Sequence, residues 1–444
     1  MKVNRRMKNK YVDFLFVYEI RSREVENNAL LGYELKRRGY SVAFVNTWHN
    51  IGRINKRRIS CKVAVVFAAY RTSVVNYMLE HVKCCDKIIN MQWEQLISIG
   101  QKDDPTSDYY IQGKGKSVVH ISWGPDNYKR LVEDSNIDKK FVKMLGHVGM
   151  DFLRPEFSKY YKSRKEICEL YGIPKDKKIC LFVSSFSYVN IPEHYVQYVG
   201  WEFVDISNKS QHIILEWIVR VLRERDDIVF IYRPHPAEAK NETILRINEE
   251  NENLFVISDL SIKQWLVISD VVYNWYSTSL MEIYSSGKSC YMLRPIEIPR
   301  RYEVEIFENG EFISEYDRFK LSLDKGKSFP YSDEHMKKYY YTSKERPAYI
   351  DIIDTFEEVY KDDEYNLPEG FIEPFKLRKK DLFFWSPIGK LFDLITIKWG
   401  IAMKKSDAIE KNRNRMYTAQ LKKQNFVSNR EIDELMEYIA GCLE

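Results

Sequence analysis

The chain has 444 residues, 44% of them hydrophobic and 30% charged. That composition excludes a disordered or collagen-like polymer and predicts a soluble globular protein of two or three domains. Lys and Arg number 69 against 64 Asp and Glu, a net charge of +5, which is too weak a bias to point to nucleic acid. Seven Cys, at 61, 84, 85, 168, 180, 290 and 442, include no Cys-x-x-Cys pair. The expectation is reduced cytoplasmic thiols, not a disulfide framework or a structural zinc site. The start is basic but no uninterrupted apolar core follows it, and no run of about 18 apolar residues occurs, so neither a signal peptide nor a membrane-spanning helix is predicted.

In chain order, an apolar run at 12–18 predicts a strand. Residues 22–38 predict a helix closed by Lys36, Arg37, Arg38 and Gly39, since basic residues and a following Gly suit a helix C-terminus. Further strands are predicted at 41–46, 62–68, 86–91 and 117–122, with helical stretches between several of them. Short apolar strands alternating with helices predict a parallel sheet covered on both faces. A connection is expected near 155–178, where Pro155 and Pro174 flank a basic stretch. A second series follows, with strands at 179–184, 228–233, 254–257, 270–274 and 289–293. Ile214, Ile218, Val221 and Leu222 share one helix face, and further helices fit 236–249, 261–268 and 277–286. Beyond about 345 the alternation is lost, and 361–370 connects to a tail. No repeat of 20–50 residues is present. The predicted architecture is α/β: two Rossmann-like units facing across a cleft, spanning 1–165 and 166–360, then a helical tail over 361–444.

The second unit holds the more specific chemical signals. Arg233-Pro234-His235-Pro236 falls where a strand gives way to a helix, and ligands of open α/β sheets bind at the carboxyl ends of strands. Pro236 suits a first helical turn. His235 can donate to a phosphate there, with Arg233 adding positive charge; the alternative is a structural His in a rigid turn. Asn274-Trp275-Tyr276-Ser277-Thr278-Ser279, followed by Glu282, again ends a strand and opens a helix. The hydroxyls of Ser277, Thr278 and Ser279 with free backbone N–H groups make an anion site aided by the helix dipole. Glu282 can take ribose hydroxyls, the alternative being a Ser279–Glu282 capping box. Ser184 and Ser185 add a third polar turn on the same edge.

The order and placement of these motifs resemble the GT-B glycosyltransferases and related transferases of bacterial surface polysaccharides. These include capsule Kdo transferases, polysialyltransferases and teichoic-acid glycerophosphotransferases. Their His-Pro and Ser-Ser or Ser-Thr donor motifs correspond to His235-Pro236 and Ser277-Thr278-Ser279. Gly146-His147-Val148-Gly149-Met150-Asp151 with Pro155 resembles the segment leading out of their first domain. Glu19 and Arg23-Glu24 ahead of Leu35-Lys36-Arg37-Arg38-Gly39-Tyr40 resemble the opening of surface-carbohydrate proteins. Two departures matter. The acidic pair and Gly of the polysialyltransferase acceptor domain has no counterpart, and the His-Gly of the glycerophosphotransferases is replaced by His120-Ile121. The resemblance implies a nucleotide-sugar donor in the second unit and a glycan or lipid-linked glycan acceptor at the first.

An inverting transfer needs a base for the acceptor proton and an anion site for the departing phosphate. Glu94, after the strand Lys87–Met91, is the preferred base, narrowly ahead of Glu19 and Glu24 after the first strand; for each taken singly a solvated surface carboxylate is the commoner role. Trp93 and Trp123 are either sugar platforms or core. No Asp-x-Asp occurs, so no metal and no cofactor are expected. In the tail, Phe384, Ile388, Leu391, Phe392, Ile395 and Trp399 share a face, and 376–405 holds eight Lys and Arg against two Asp. Such a helix either lies on an anionic membrane from the cytoplasmic side or packs across the two units. Glycerol or ribitol phosphate transfer, nucleotide-sugar epimerisation and non-catalytic binding stay open as alternative functions.

Overall fold

The computed structural model describes residues 10–47, 59–189, 191, 196, 200–235, 238, 241–341, 345–372 and 425–444. It shows the predicted two-unit α/β architecture. The first unit carries β1 (Lys10–Tyr18), β2 (Val42–Asn46), β3 (Ile59–Val66), β4 (Val82–Asn90), β5 (Val119–Ser122) and β6 (Val142–Met144) in the order β2-β1-β3-β4-β5-β6. The second carries β7 (Lys178–Val183), β8 (Ile228–Arg233), β9 (Leu254–Val256), β10 (Val271–Asn274), β11 (Ser289–Leu293) and β12 (Phe312–Ile313) in the order β12-β11-β10-β7-β8-β9. Every pairing within both sheets is parallel. Phe14, Leu15, Phe16 and Val17 are all buried although they point alternately to opposite faces, as a strand covered by helices on both sides requires.

The helix predicted over 22–38 is two pieces, a π-helical turn at Arg21–Val25 running into α1 (Glu26–Arg37). Gly39 follows at φ +94°, the left-handed conformation that ends a helix cheaply only in glycine. In the second unit, α2 (Trp201–Glu224) buries Ile214, Ile218 and Val221 against the sheet. Its neighbours are α3 (Glu242–Glu249), α4 (Ile262–Ile268) and α5 (Leu280–Ser286).

Four expectations are revised. The helix predicted from 236 starts at Glu242, because Asn241 caps it by accepting from the Thr243 N–H at 3.0 Å. The helix predicted from 277 starts at Leu280, because Ser277 to Ser279 are held in a turn by Asn274. Strands β6 and β12 were not predicted; at three and two residues on sheet edges they are too short to show a period. Helix α6 (Ala348–Lys361) falls in the span expected to belong to the second unit, yet its Ile352, Ile353 and Phe356 join the first unit's core.

The chain returns in α7 (Asn429–Leu443), opened by a capping box between Ser428 and Glu431. Its Ile432, Met436 and Ile439 pack into the first core beside α1. Gly32 of α1 admits this contact: a Cβ there would lie 2.6 Å from the Phe44 ring and 3.4 Å from the Met436 sulfur. The basic stretch 376–405 lies outside the described residues. Among the described residues, no helix is long and apolar enough to cross a membrane.

The C-terminal helix is therefore structural to the first unit. Truncating the fully buried Ile439 to Ala should cost about 2–4 kcal/mol, read as a lower urea midpoint at unchanged slope.

Candidate functional site

Three turns stand side by side at the carboxyl edge of the second sheet, after β10, β7 and β8, which are neighbours in that order. The β8 turn is organised by a residue the sequence motifs did not single out. The Glu238 carboxylate accepts from the Ser184 hydroxyl, from the Tyr232 hydroxyl at 2.8 Å, from the Gln211 amide at 3.2 Å and from the His235 N–H at 3.1 Å. Ser184 thus spends its proton on shaping the turn, whereas the hydroxyl of its buried neighbour Ser185 has no partner. Arg233 is buried; one terminal nitrogen donates to the Leu260 carbonyl at 3.2 Å, while its Nε is unpartnered. Burial pulls the Arg233 pKa down to about 10 against the pull of Glu282.

His235 follows two residues later. Burial, and secondarily Arg233, lower its pKa to about 4, while Glu94 of the first unit opposes that shift. The imidazole is therefore neutral near pH 7, with one ring N–H and one ring nitrogen that accepts.

The β10 turn is tied by Asn274, whose side chain accepts from the Ser277 N–H and donates to the Ser277 carbonyl, both at 2.8 Å. Ser277 is buried, Thr278 exposed and Ser279 half-buried. The Ser277 hydroxyl accepts from the Ser279 N–H at 3.3 Å. Ser279 makes no side-chain cap bond, so the Ser279–Glu282 capping box is not formed. Burial raises the Glu282 carboxyl, against Lys263 and Arg233. Arg233 and Glu282 thus act on each other, which puts the β8 and β10 turns on one edge.

At the facing edge of the first sheet, the three candidate bases divide. Glu24 is wholly buried; it accepts from the Glu19 N–H at 2.6 Å and from Arg23 at 2.7 Å. Burial lifts it to about 7 against the pull of Arg23. Glu19 is raised by burial and accepts from the Tyr77 hydroxyl at 3.4 Å. Glu94 alone is exposed, with 66% of its side chain accessible, and it is ion-paired to Arg23. The Arg23 guanidinium therefore joins the buried Glu24 to the accessible Glu94.

Trp93 and Trp123 are buried with their rings 5.4 and 4.3 Å from the His147 ring, so they are core rather than open sugar platforms. His147 accepts from the Gly149 N–H at 2.8 Å and is lowered to about 3 by burial. His120, the counterpart of the expected acceptor-domain His, lies inside β5. It contacts the Gly115 carbonyl at 2.8 Å and the Asn90 amide at 3.1 Å, and it is no part of either edge.

The two edges meet. Glu94 acts electrostatically on both His235 and Tyr188 of the other unit. Lys263 of α4 is ion-paired to Glu26 at the start of α1, and Tyr160 donates to the same carboxylate at 3.1 Å. Neither Lys263 nor Glu26 stands in a motif; only their coming together marks them. Around the rim, Ile99 N–H donates to the Glu303 carbonyl at 2.8 Å, and Lys102 pairs with Glu305 at 2.6 Å. Among the described residues, no group of three His, Cys, Asp or Glu is placed to hold a metal ion.

No protein-family model matches the sequence, and no curated protein matches it. Solved structures do. The wall teichoic acid polymerase TagF, in a variant soaked with CDPG, is 14% identical with a TM-score of 0.49, covering 79% of this chain and 89% of that one. The S. aureus MnaA–UDP co-structure is 13% identical with a TM-score of 0.49, covering 78% and 96%. UDP-GlcNAc 2-epimerase from Neisseria meningitidis, bound to UDP-GlcNAc, is 13% identical with a TM-score of 0.48, covering 79% and 100%.

Burial sets a pH dependence that His120 isolates. Its folded pKa of about 4 lies below the ordinary histidine value of 6.5, so the folded state binds this proton less well than the unfolded state. The contribution is complete above pH 6.5 and is lost as pH falls toward 4. Between pH 7 and pH 5 the native chain should lose about 2 kcal/mol more stability than His120→Gln, at about 1.4 kcal/mol per pH unit. Urea titrations at the two pH values measure the difference.

Proposed function

We propose that the chain is a glycosyltransferase that moves a sugar from a nucleotide-activated donor at the second unit to an acceptor hydroxyl at the first, on the way to a surface glycan. The observation that carries this reading is that Glu94 and His235, each just past the carboxyl end of a parallel strand, lie on the edges of two units bridged by the Lys263–Glu26 ion pair, with Glu94 acting electrostatically on His235. One edge offers a carboxylate that can take a proton. The other offers Arg233, a neutral His235 and the turn at Ser277 to Ser279 for a phosphate.

In this reading Glu94 accepts the proton of the acceptor hydroxyl as its oxygen attacks the anomeric carbon of the donor. The new glycosidic bond forms as the bond to the donor's phosphate oxygen breaks, with inversion. The departing nucleotide phosphate gains negative charge. Arg233 supplies the opposing charge, and His235 and the Ser277–Ser279 turn supply hydrogen bonds. Glu282 lies near enough to Arg233 to take ribose hydroxyls beside the phosphate. Arg23 holds Glu94 in place through their ion pair, and the buried Glu24 anchors Arg23 from behind. Fixed donors need little reorganisation at the moment of transfer.

His235→Ala should abolish transfer, by at least a hundredfold, while circular dichroism shows an intact fold; unchanged turnover would defeat the assignment. Incubating the native chain with a panel of CMP-, CDP-, UDP- and GDP-linked sugars and no acceptor separates the alternative. A transferase at most hydrolyses its donor slowly, whereas an epimerase converts it.

The stretch 376–405 completes the reading from sequence alone: its aromatic face and basic excess suit an anionic membrane on which a lipid-linked acceptor resides. Flotation with vesicles containing anionic lipid should carry the full chain and leave behind a chain in which residues 376–405 are replaced by a Gly/Ser linker. Equal flotation of both rules that stretch out as the anchor.

A further inference from the structure

The segment that follows Glu94 is fastened to both units. The buried Gln95 side chain donates to the Ile121 carbonyl of β5 at 2.8 Å and accepts from the Trp123 N–H at 2.7 Å, which ties it to the first sheet. One residue on, Leu96 packs against the core of the second unit. Ser98 then faces Val304 as an antiparallel bridge, and the Ile99 N–H donates to the Glu303 carbonyl at 2.8 Å. Gly100 runs so close to the same partner that a Cβ would stand 2.5 Å from the Arg301 carbonyl oxygen. The Lys102–Glu305 ion pair closes the contact. Exposed ion pairs are worth little, so the backbone bonds and the close approach set the fit.

The partner segment is in turn tied to the turn after β10. The Tyr276 hydroxyl donates to the Tyr302 carbonyl, and Tyr276 immediately precedes Ser277. Its ring packs against Phe203 and Phe307, with centroids 5.3 and 5.6 Å away. Arg294, buried just past the end of β11, lies 5.5 Å from the centre of the Tyr276 ring and donates to the Glu303 carboxylate at 3.2 Å. A buried ion pair keeps its value only in good geometry, so Arg294 braces Tyr276 and Glu303 against each other. A continuous path thus runs from the Ser277 turn through Tyr276, Tyr302 and Glu303 to Ile99, and back along the chain to Glu94.

Resting on the transferase reading, we propose that Tyr276 is a positioning residue for the base: its hydroxyl, through the Tyr302–Val304 segment, holds residues 96–102 and so fixes Glu94 relative to the phosphate-binding turn at Ser277 to Ser279. The hydroxyl is committed to a carbonyl and acts through the chain it holds. Acceptor oxygen and anomeric carbon have to meet between Glu94 and that turn, and a misplacement of about 1 Å there costs on the order of a hundredfold in rate.

Two variants of the full chain approach this link from opposite units. Tyr276→Phe removes one hydrogen bond and keeps the ring; Gly100→Ala adds a methyl against the Arg301 carbonyl and removes no bond. Hydrogen–deuterium exchange should be at least tenfold faster in peptides covering 96–102 in each variant, with β1 and β7 unchanged. With the nucleotide-sugar that the native chain uses, kcat should fall at least tenfold in each variant, while the donor KM of Gly100→Ala stays within twofold of native. The double variant should be about as slow as the slower single one, because both act on one link. Unchanged exchange at 96–102 in Tyr276→Phe, native kcat with that segment loosened, or a raised donor KM at native kcat in Gly100→Ala would overturn the proposal. If one variant fails to fold, the other decides by the same exchange and kcat readings. A native chain that transfers sugar from no nucleotide donor would retire the transferase reading, and the exchange comparison would still decide whether Tyr276 holds the segment beyond Glu94.

Discussion

A parallel strand covered on both faces can present polar groups only at its ends. Both sheets largely follow that constraint, the buried Lys87 in β4 and His120 in β5 being exceptions held by their own hydrogen bonds. The strand interiors are spent on apolar burial, so Glu94, Ser184, Arg233 and Asn274 gather at or just beyond the carboxyl ends of β4, β7, β8 and β10. Two such edges turned toward each other concentrate ionisable groups, several of them buried. There an unpaired charge is expensive, so each carboxylate finds a cation or shifts toward its neutral form. Arg23 with Glu24 and Glu94, Lys263 with Glu26, and Arg233 facing Glu282 are successive solutions to that one problem.

Burial acts oppositely on acids and bases, and the gap uses both directions. Glu24, Glu19 and Glu282 are pushed up, while His235, His147 and Arg233 are pushed down. The result is an imidazole that hydrogen-bonds as a neutral donor beside a guanidinium that still carries charge. A phosphate is served better by that combination than by two flexible cations, because fixed donors lose little entropy on binding. Glu238 supplies the rigidity. Four donors converge on its carboxylate, so the His235 turn is set by hydrogen bonds before any ligand arrives.

The sheets were legible in the sequence because their signal is local. Runs such as those of β1, β7 and β8 are apolar, β-branched or aromatic, and bounded by polar turns. The edge strands β6 and β12 were not legible, since two or three residues carry no period. The placement of α6 was not legible either. Its apolar face reads equally well for either core, and contacts distant in sequence decide: its capping by Asp151, Arg38 with Asp354, and Tyr360 with Asp13. Of the site, the turns at 233–235 and 277–279 could be read because a polar cluster after a strand is a local pattern. Glu238, Lys263 and Glu26 could not, since their partners lie far off in sequence or on another element. Ser184 was read correctly as a polar group at the edge, but its bond to Glu238 turns it into a support for its neighbour.

Asp151 shows how the two edges are kept in register. It lies in the segment by which the chain leaves the first unit, and its carboxylate accepts from the Ala348 and Tyr349 N–H groups at 3.0 and 2.7 Å, where the chain has returned to start α6. Close by, the Tyr341 N–H donates to the Trp123 carbonyl, and Gly146, at φ +84°, leaves room for the Tyr341 carbonyl where a Cβ would sit 2.5 Å away. The outgoing and returning crossings are thus bonded to each other as well as to the units they join. A single crossing would leave the units free to swivel, since one covalent link fixes no angle. Two crossings bonded to each other along a common line constrain the relative orientation of the units more than one would. Asp151 sits on that line because a helix N-terminus is the one backbone feature that offers a buried carboxylate several unpaired N–H groups at once.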